Sequence, residues 1–191
     1  MKIHKLHDRK TNRLPGYDYS TPGAYFVTVC VHNRENAFGK IISGNDHGRS
    51  VQANESGKIV EQQWKWLFKQ FDHIEIDEYV IMPDHFHGII HIVMNANDPV
   101  GKCVDNPIPV GNGRDRSLRI KPIPQLIGAF KTTTSKLIHQ AGFTNFQWQK
   151  SYYDHIVRDD AELNRIRDYI INNPMNWEQD SGNMRDEINE E

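Results

Sequence analysis

The sequence predicts an α+β domain in which an antiparallel sheet carries helices packed on one face. Three observations predict it: a run of aromatic and β-branched residues from Ala24 to His32, two apolar runs joined at Pro83-Asp84, and three segments with helical spacing around them. In chain order the elements read strand, helix, hairpin, helix, strand, helix.

Ala24 to His32 sets Tyr25, Val27 and Val29 on one face and Phe26, Thr28 and Cys30 on the other, the pattern of a central strand. A second short strand is expected over Phe38 to Ile42, and the Gly- and Asn-rich run from Ser43 to Ser50 reads as a turn. Glu55 to Phe71 carries Ile59, Gln63, Trp66, Leu67 and Gln70 at helical spacing and gives the first helix. Ile74 to Met82 and Phe86 to Met94 form the hairpin. From residue 95 to 124, Asp98-Pro99, Asn106-Pro107, Gly111-Asn112-Gly113 and Pro122 are too many breakers for a regular element, so a flexible insertion is expected. Leu126, Phe130, Thr133 and Leu137 mark a second helix ending near Gln140, and Asn145 to Val157 reads as a further strand. Asp159 with Glu162 three residues on is a capping-box start for a last helix through Leu163, Ile166 and Ile170, which Pro174 keeps from running much further.

A chain of 191 residues suits one domain with a well-buried core. We read it as residues 24–177 between a basic arm (1–23) and an acidic tail (178–191). Residues 1 to 13 hold Lys2, Lys5, Arg9, Lys10 and Arg13 against Asp8, whereas the tail sets Glu178, Asp180, Asp186, Glu187, Glu190 and Glu191 against Arg185. The net charge of -2 argues against indiscriminate coating of nucleic acid, but the basic arm suits phosphate contacts. No apolar run approaches the roughly 20 residues of a membrane span, so a soluble, cytoplasmic protein without a membrane partner is expected. Cys30 and Cys103 form no Cys-x-x-Cys pair and are expected as free thiols.

The chemistry concentrates in two places. In Met82-Pro83-Asp84-His85-Phe86-His87 the two histidines fall at i and i+2 of a strand, so both imidazoles face one way while Phe86 turns to the core. Some eighty residues later, Tyr169 and Asn173 stand one turn apart on the last helix, on one flank of the Leu163, Ile166 and Ile170 stripe. Spacing alone leaves two readings for each. The histidines are metal ligands or hydrogen-bonded strand residues, Tyr169 is a nucleophile or a boundary tyrosine, and Asn173 is a ligand or a helix-stop residue.

These segments, with Asn12-Arg13-Leu14-Pro15-Gly16-Tyr17-Asp18-Tyr19, Gly23-Ala24-Tyr25-Phe26-Val27-Thr28-Val29, Trp148-Gln149-Lys150-Ser151-Tyr152-Tyr153-Asp154-His155 and Tyr169-Ile170-Ile171-Asn172-Asn173-Pro174, resemble the HUH single-tyrosine transposases, most closely their REP-associated branch, the RAYT proteins. The resemblance runs over most of the chain. It implies a ferredoxin/RRM-like HUH fold, His85, His87 and Asn173 as ligands of Mg²⁺ or Mn²⁺, and Tyr169 as the nucleophile that forms a 5′-phosphotyrosine on single-stranded DNA near a hairpin. Two imidazoles and an amide oxygen leave positions open for substrate, which suits such an ion acting as Lewis acid better than a closed zinc site.

The resemblance further implies that Arg9, Lys10, Asn12 and Arg13 contact DNA beside a hairpin. Lys131, Lys136 and Arg158 are candidate phosphate contacts, and Asp84 is a turn residue placed to orient His85. Tyr152 and Tyr153 are fallback nucleophiles, and His91 shares the face of the pair. Relatives on insertion sequences are commonly homodimers that exchange the tyrosine helix, whereas the RAYT branch implies a monomer. Two rival functions fit the same residues: a hairpin-binding protein that no longer cuts, and a metal-dependent nuclease that uses water. An RNA-binding sheet of the RRM type would need an aromatic RNP signature that the candidate strands lack.

Overall fold

The computed structural model of the chain describes residues 13–43, 48–93 and 120–177. Arg9, Lys10 and Asn12, the expected insertion up to residue 119, Cys103 and the acidic tail lie outside the described residues. The elements are β1 (Gly23–Cys30), a short turn of 3-10 helix (His32–Arg34), β2 (Gly39–Ser43), β3 (Arg49–Ala53), α1 (Glu55–Gln70), β4 (Ile74–Ile81), β5 (His85–Ile92), α2 (Ile123–Gln140), β6 (Tyr153–Ile156) and α3 (Asp160–Asn176). Four strands make one antiparallel sheet in the order β4-β5-β1-β6, and β2 and β3 form a separate hairpin.

The α+β antiparallel class is as expected, but the helices do not all lie on one face. Tyr25, Val27 and Val29 of β1 and Phe86 and Ile90 of β5 pack with Val60, Trp64 and Leu67 of α1 and Leu126, Ile127 and Phe130 of α2. The opposite face, with Ala24, Phe26 and Ile89, is covered by Leu163, Ile166 and Ile170 of α3. The physical reason lies in β1 and β5, which are buried nearly throughout rather than at alternate positions, the mark of strands covered on both sides.

Gly88 fixes how closely α1 approaches β5. A Cβ there would stand 2.7 Å from the Trp64 indole and 2.8 Å from the Phe86 ring, so glycine lets both rings close over the strand at this point. Trp64, Phe86 and Phe130 then meet with ring centroids 4.6 to 5.4 Å apart, a rigid bed under the strand that carries His85 and His87.

Helix starts follow the sequence chemistry. Asn54 caps α1 by accepting from Gly57 N at 3.0 Å, and Asp159 caps α3 by accepting from Glu162 N at 2.8 Å. Glu162 reaches back as a capping box requires, but to Arg158 N, 2.7 Å away, while its other oxygen meets His155. The second helix begins at Ile123, inside the stretch read as breakers, because Pro124 falls in the first turn where a missing N–H costs nothing.

Two strand expectations fail. The run read as a turn overlaps the first two residues of β3, a strand not expected, which pairs with β2 through Ile41 and Val51 and which one apolar residue among polar ones does not signal. The strand expected over Asn145 to Val157 shrinks to β6, because Phe146 and Trp148 are drawn instead into an aromatic cluster with Phe38, leaving one bridge from Trp148 to Val31. Cys30 is a free thiol, as expected.

Candidate active site

The register of β5 on β1 builds the site. Thr28 stands opposite His87 and Cys30 opposite His85, and all four face α3. The two imidazoles lie edge to face with centroids 4.5 Å apart. Both are buried, 0% and 1% exposed, in a place where polar groups persist only with partners.

Each ring is anchored through Nδ1. His85 Nδ1–H donates to Asp84 Oδ1 at 2.5 Å, which fixes its tautomer because a carboxylate only accepts. His87 Nδ1 is 2.8 Å from Thr28 Oγ1, and in the tautomer that donates to this hydroxyl its Nε2 keeps a lone pair. Burial first, then the charge of His85 and of Arg34, holds the His87 pKa well below the ordinary imidazole value of 6.5. Two rings each tied at Nδ1, which leaves Nε2 available for a further partner, is an arrangement seen in metal-binding histidines. Among the described residues no three His, Cys, Asp or Glu side chains cluster as a metal site, so a third ligand drawn from these residues would be of another type.

α3 supplies that type. The Tyr169 hydroxyl lies 3.4 Å from His87 Nε2, and two turns later the Trp177 indole stacks over His85, centroids 6.0 Å apart. Asn173 falls midway between them on the same helix face and is fully buried. Two imidazoles on β5 face a helix that carries a phenol and an amide, and by chemistry such a donor set fits a divalent ion with positions left open. The helix packs on the sheet of its own chain, so one chain assembles all four groups.

The remaining expected residues divide. Asp84 is in place, with its second oxygen 2.9 Å from Arg34 Nε. Lys131 does not serve as a free phosphate contact: its ammonium donates to the carbonyls of Gln149, Lys150 and Ser151 at 2.6 to 3.4 Å, which uses all three donors and closes the loop before β6. Arg158 lies at the other end of the sheet, since the next residue back, Val157, pairs with Ala24 whereas His85 pairs with Cys30. Lys136 is exposed on α2. Arg13 lies over the Tyr152 ring, 5.4 Å from its centroid, and donates to its hydroxyl.

Tyr152 is held protonated, its pKa pushed up to about 12 by burial, and Tyr153 packs edge-on against Phe26. Among the three candidate tyrosines, Tyr169 is the one whose hydroxyl meets a histidine of the pair. His91 is no spare ligand here, since its Nε2 lies 2.6 Å from Asp77 Oδ2. Sequence reading missed Thr28, Arg34 and Trp177. The polar Thr28 on an otherwise apolar strand face was a signal that could have found the first.

No family model matches the chain. An uncharacterized protein of Haemophilus influenzae is 37% identical to it over 179 residues, 92% of this chain and 93% of that one. This chain belongs to the same family. Among solved structures, the REP-associated tyrosine transposase bound to a REP hairpin matches with a TM-score of 0.52 at 16% identity, over 86% of this chain and 73% of that chain. At that identity the likeness is one of fold: the same α+β architecture with a four-stranded antiparallel sheet and three helices. Among the described residues no helix is long and apolar enough to cross a membrane.

Proposed function

We propose that this protein is a transposase-type enzyme that nicks and rejoins single-stranded DNA beside a hairpin through a 5′-phosphotyrosine at Tyr169. The observation that carries the reading is the approach of the Tyr169 hydroxyl to His87 Nε2, 3.4 Å, on a ring that Thr28 orients and burial keeps neutral. The fold likeness to a transposase that was solved with a hairpin supports DNA as the partner.

His85, His87 and Asn173 would hold Mg²⁺ or Mn²⁺. Bound there, the ion supplies Lewis-acid polarisation of the scissile phosphate. Asp84 and Thr28 keep the two rings aimed, and the burial of the site excludes bulk water. Tyr169 Oη attacks phosphorus in line; the new O–P bond forms as the P–O3′ bond breaks, and the phenol proton ends on the released 3′ oxygen. A phosphodiester is exchanged for a phosphodiester, so the same or another 3′-OH can reverse the step without ATP.

The test is incubation with labelled hairpin DNA and Mn²⁺, followed by a denaturing gel. A protein–DNA conjugate that maps to Tyr169 is expected. Cleavage without any conjugate would favour a metal-dependent nuclease using water, and hairpin binding without cleavage would favour a silent binding protein.

A further inference from the structure

Directly after β1 the chain turns through His32–Arg34, where Asn33 and Arg34 take left-handed backbone angles, φ 55° and 57°. Among the described residues no other non-glycine residue has a positive φ. Asparagine enters this region readily, arginine pays about 1 kcal/mol or more there, and glycine would sit without strain. An arginine in such a place points to a use for its side chain rather than its backbone.

The guanidinium is fixed at one edge. Nε donates to Asp84 Oδ2 at 2.9 Å and Nη1 to Cys30 Sγ at 3.1 Å. Cys30 lies on the α3 face of β1, opposite His85, so the cation stands on the same face as the two imidazoles. Asp84 spans both: one oxygen holds His85 Nδ1 and the other holds Arg34 Nε, so ring and cation share one frame. Of the five N–H donors of a guanidinium two are used, and the described residues show no partner for the other three. With 33% of the side chain exposed, the guanidinium is reachable from solvent beside the buried histidine pair. A planar fork of free donors on a partly desolvated cation matches the oxygens of a phosphodiester.

We propose that Arg34 binds a phosphate of the DNA strand that lies over His85 and His87. The inference rests on the reading of this site as a DNA-cutting centre and names the residue that seats the backbone there. The plainer role, neutralising Asp84 alone, would act only through His85.

The test compares the full chain with Arg34→Gly, which relieves the left-handed strain, and with Arg34→Gln, which removes the charge and keeps a side chain; circular dichroism and melting show which variants fold. Binding of a single-stranded oligodeoxynucleotide, followed without divalent metal, is expected to weaken about tenfold in either, with the slope of log K against log salt falling by about 0.7, one phosphate on a single strand. Arg34→Lys should keep the slope and lose about tenfold in conjugate formation, since a point charge replaces the fork. Wild-type affinity and slope in folded Arg34→Gly or Arg34→Gln, with Mn²⁺ affinity lowered in calorimetry, would overturn the proposal in favour of action through Asp84. The two readings fail separately. A wild-type protein that binds the strand but forms no conjugate sinks the phosphotyrosine chemistry and leaves the slope test standing, whereas conjugate formation with an unchanged slope sinks Arg34 alone.

Discussion

Arg167 of α3 and Asp77 of β4 are joined by a forked ion pair, Nε to the two carboxylate oxygens at 2.9 and 3.2 Å and Nη2 to Oδ2 at 2.7 Å. It ties the helix to the sheet two residues before Tyr169. Because His91 meets the same carboxylate, the helix, β4 and the histidine-bearing strand are joined at one point outside the site.

Replacing Asp77→Asn should therefore loosen α3. With the Arg167 side chain 37% exposed and Asp77 11% exposed, the pair is partly screened, and a loss of about 1–2 kcal/mol is expected in urea denaturation. The yield of covalent conjugate should fall with it, since Tyr169 would no longer be held against His87.

The same pair sets a pH dependence. Burial alone would raise the Asp77 pKa, but hydrogen bonds from Arg167, then His91 and the Glu78 backbone, lower it from 3.8 to about 2. A carboxyl with a depressed folded pKa adds stability that is complete above 3.8 and is lost as the pH falls through about 2. The stability gap between the wild type and Asp77→Asn, followed by chemical denaturation, should be constant near neutrality and close below pH 3.8. A gap that stays open at pH 2 would mean that the stability Asp77 contributes does not come from its ionised carboxylate.

Tyr169→Phe removes one oxygen at the edge of the smaller core and keeps the ring contact with Phe26. Stability should change by no more than about 1 kcal/mol, and binding of a hairpin should persist, while the conjugate disappears. A conjugate that remains and maps to Tyr152 or Tyr153 would move the nucleophile.

Thr28→Val keeps the shape of β1 and removes the group that orients His87. Mn²⁺ affinity in calorimetry should drop about 10- to 100-fold, the usual cost of losing the outer partner of a ligating histidine. His87→Ala should abolish measurable binding and Asn173→Ala should weaken it. Unchanged affinity in all three would remove the metal from the site.

Much of this was legible in the chain. His85 and His87 declared themselves by period-2 spacing, and the Leu163, Ile166 and Ile170 stripe placed Tyr169 and Asn173 together, because strand and helix periodicity follow from local geometry alone. Which strand lies opposite which is a property of pairing, so neither Thr28 beneath His87 nor Cys30 beside His85 could be read before the register was known. Lys131 was misread for a related reason: nothing in the sequence says that a lysine on α2 will be met by three carbonyls of a loop some twenty residues on. The face covered by α3 is legible only in Ala24, Phe26 and Ile89, because the two histidines and Thr28 make the rest of that face look polar.

The division of the helices has a consequence for how the molecule opens. α3 meets the sheet through a small cluster of six buried apolar residues, three of them its own, while α1 and α2 share the large aromatic core on the other side of the sheet. Amide protons of α3 should therefore exchange with solvent through a partial opening that leaves β1 and β5 protected, at a free energy well below that of whole-chain unfolding. The tyrosine would ride on the least anchored helix while the histidines sit in the most anchored strand, so one half of the chemistry can come and go while the other stays assembled.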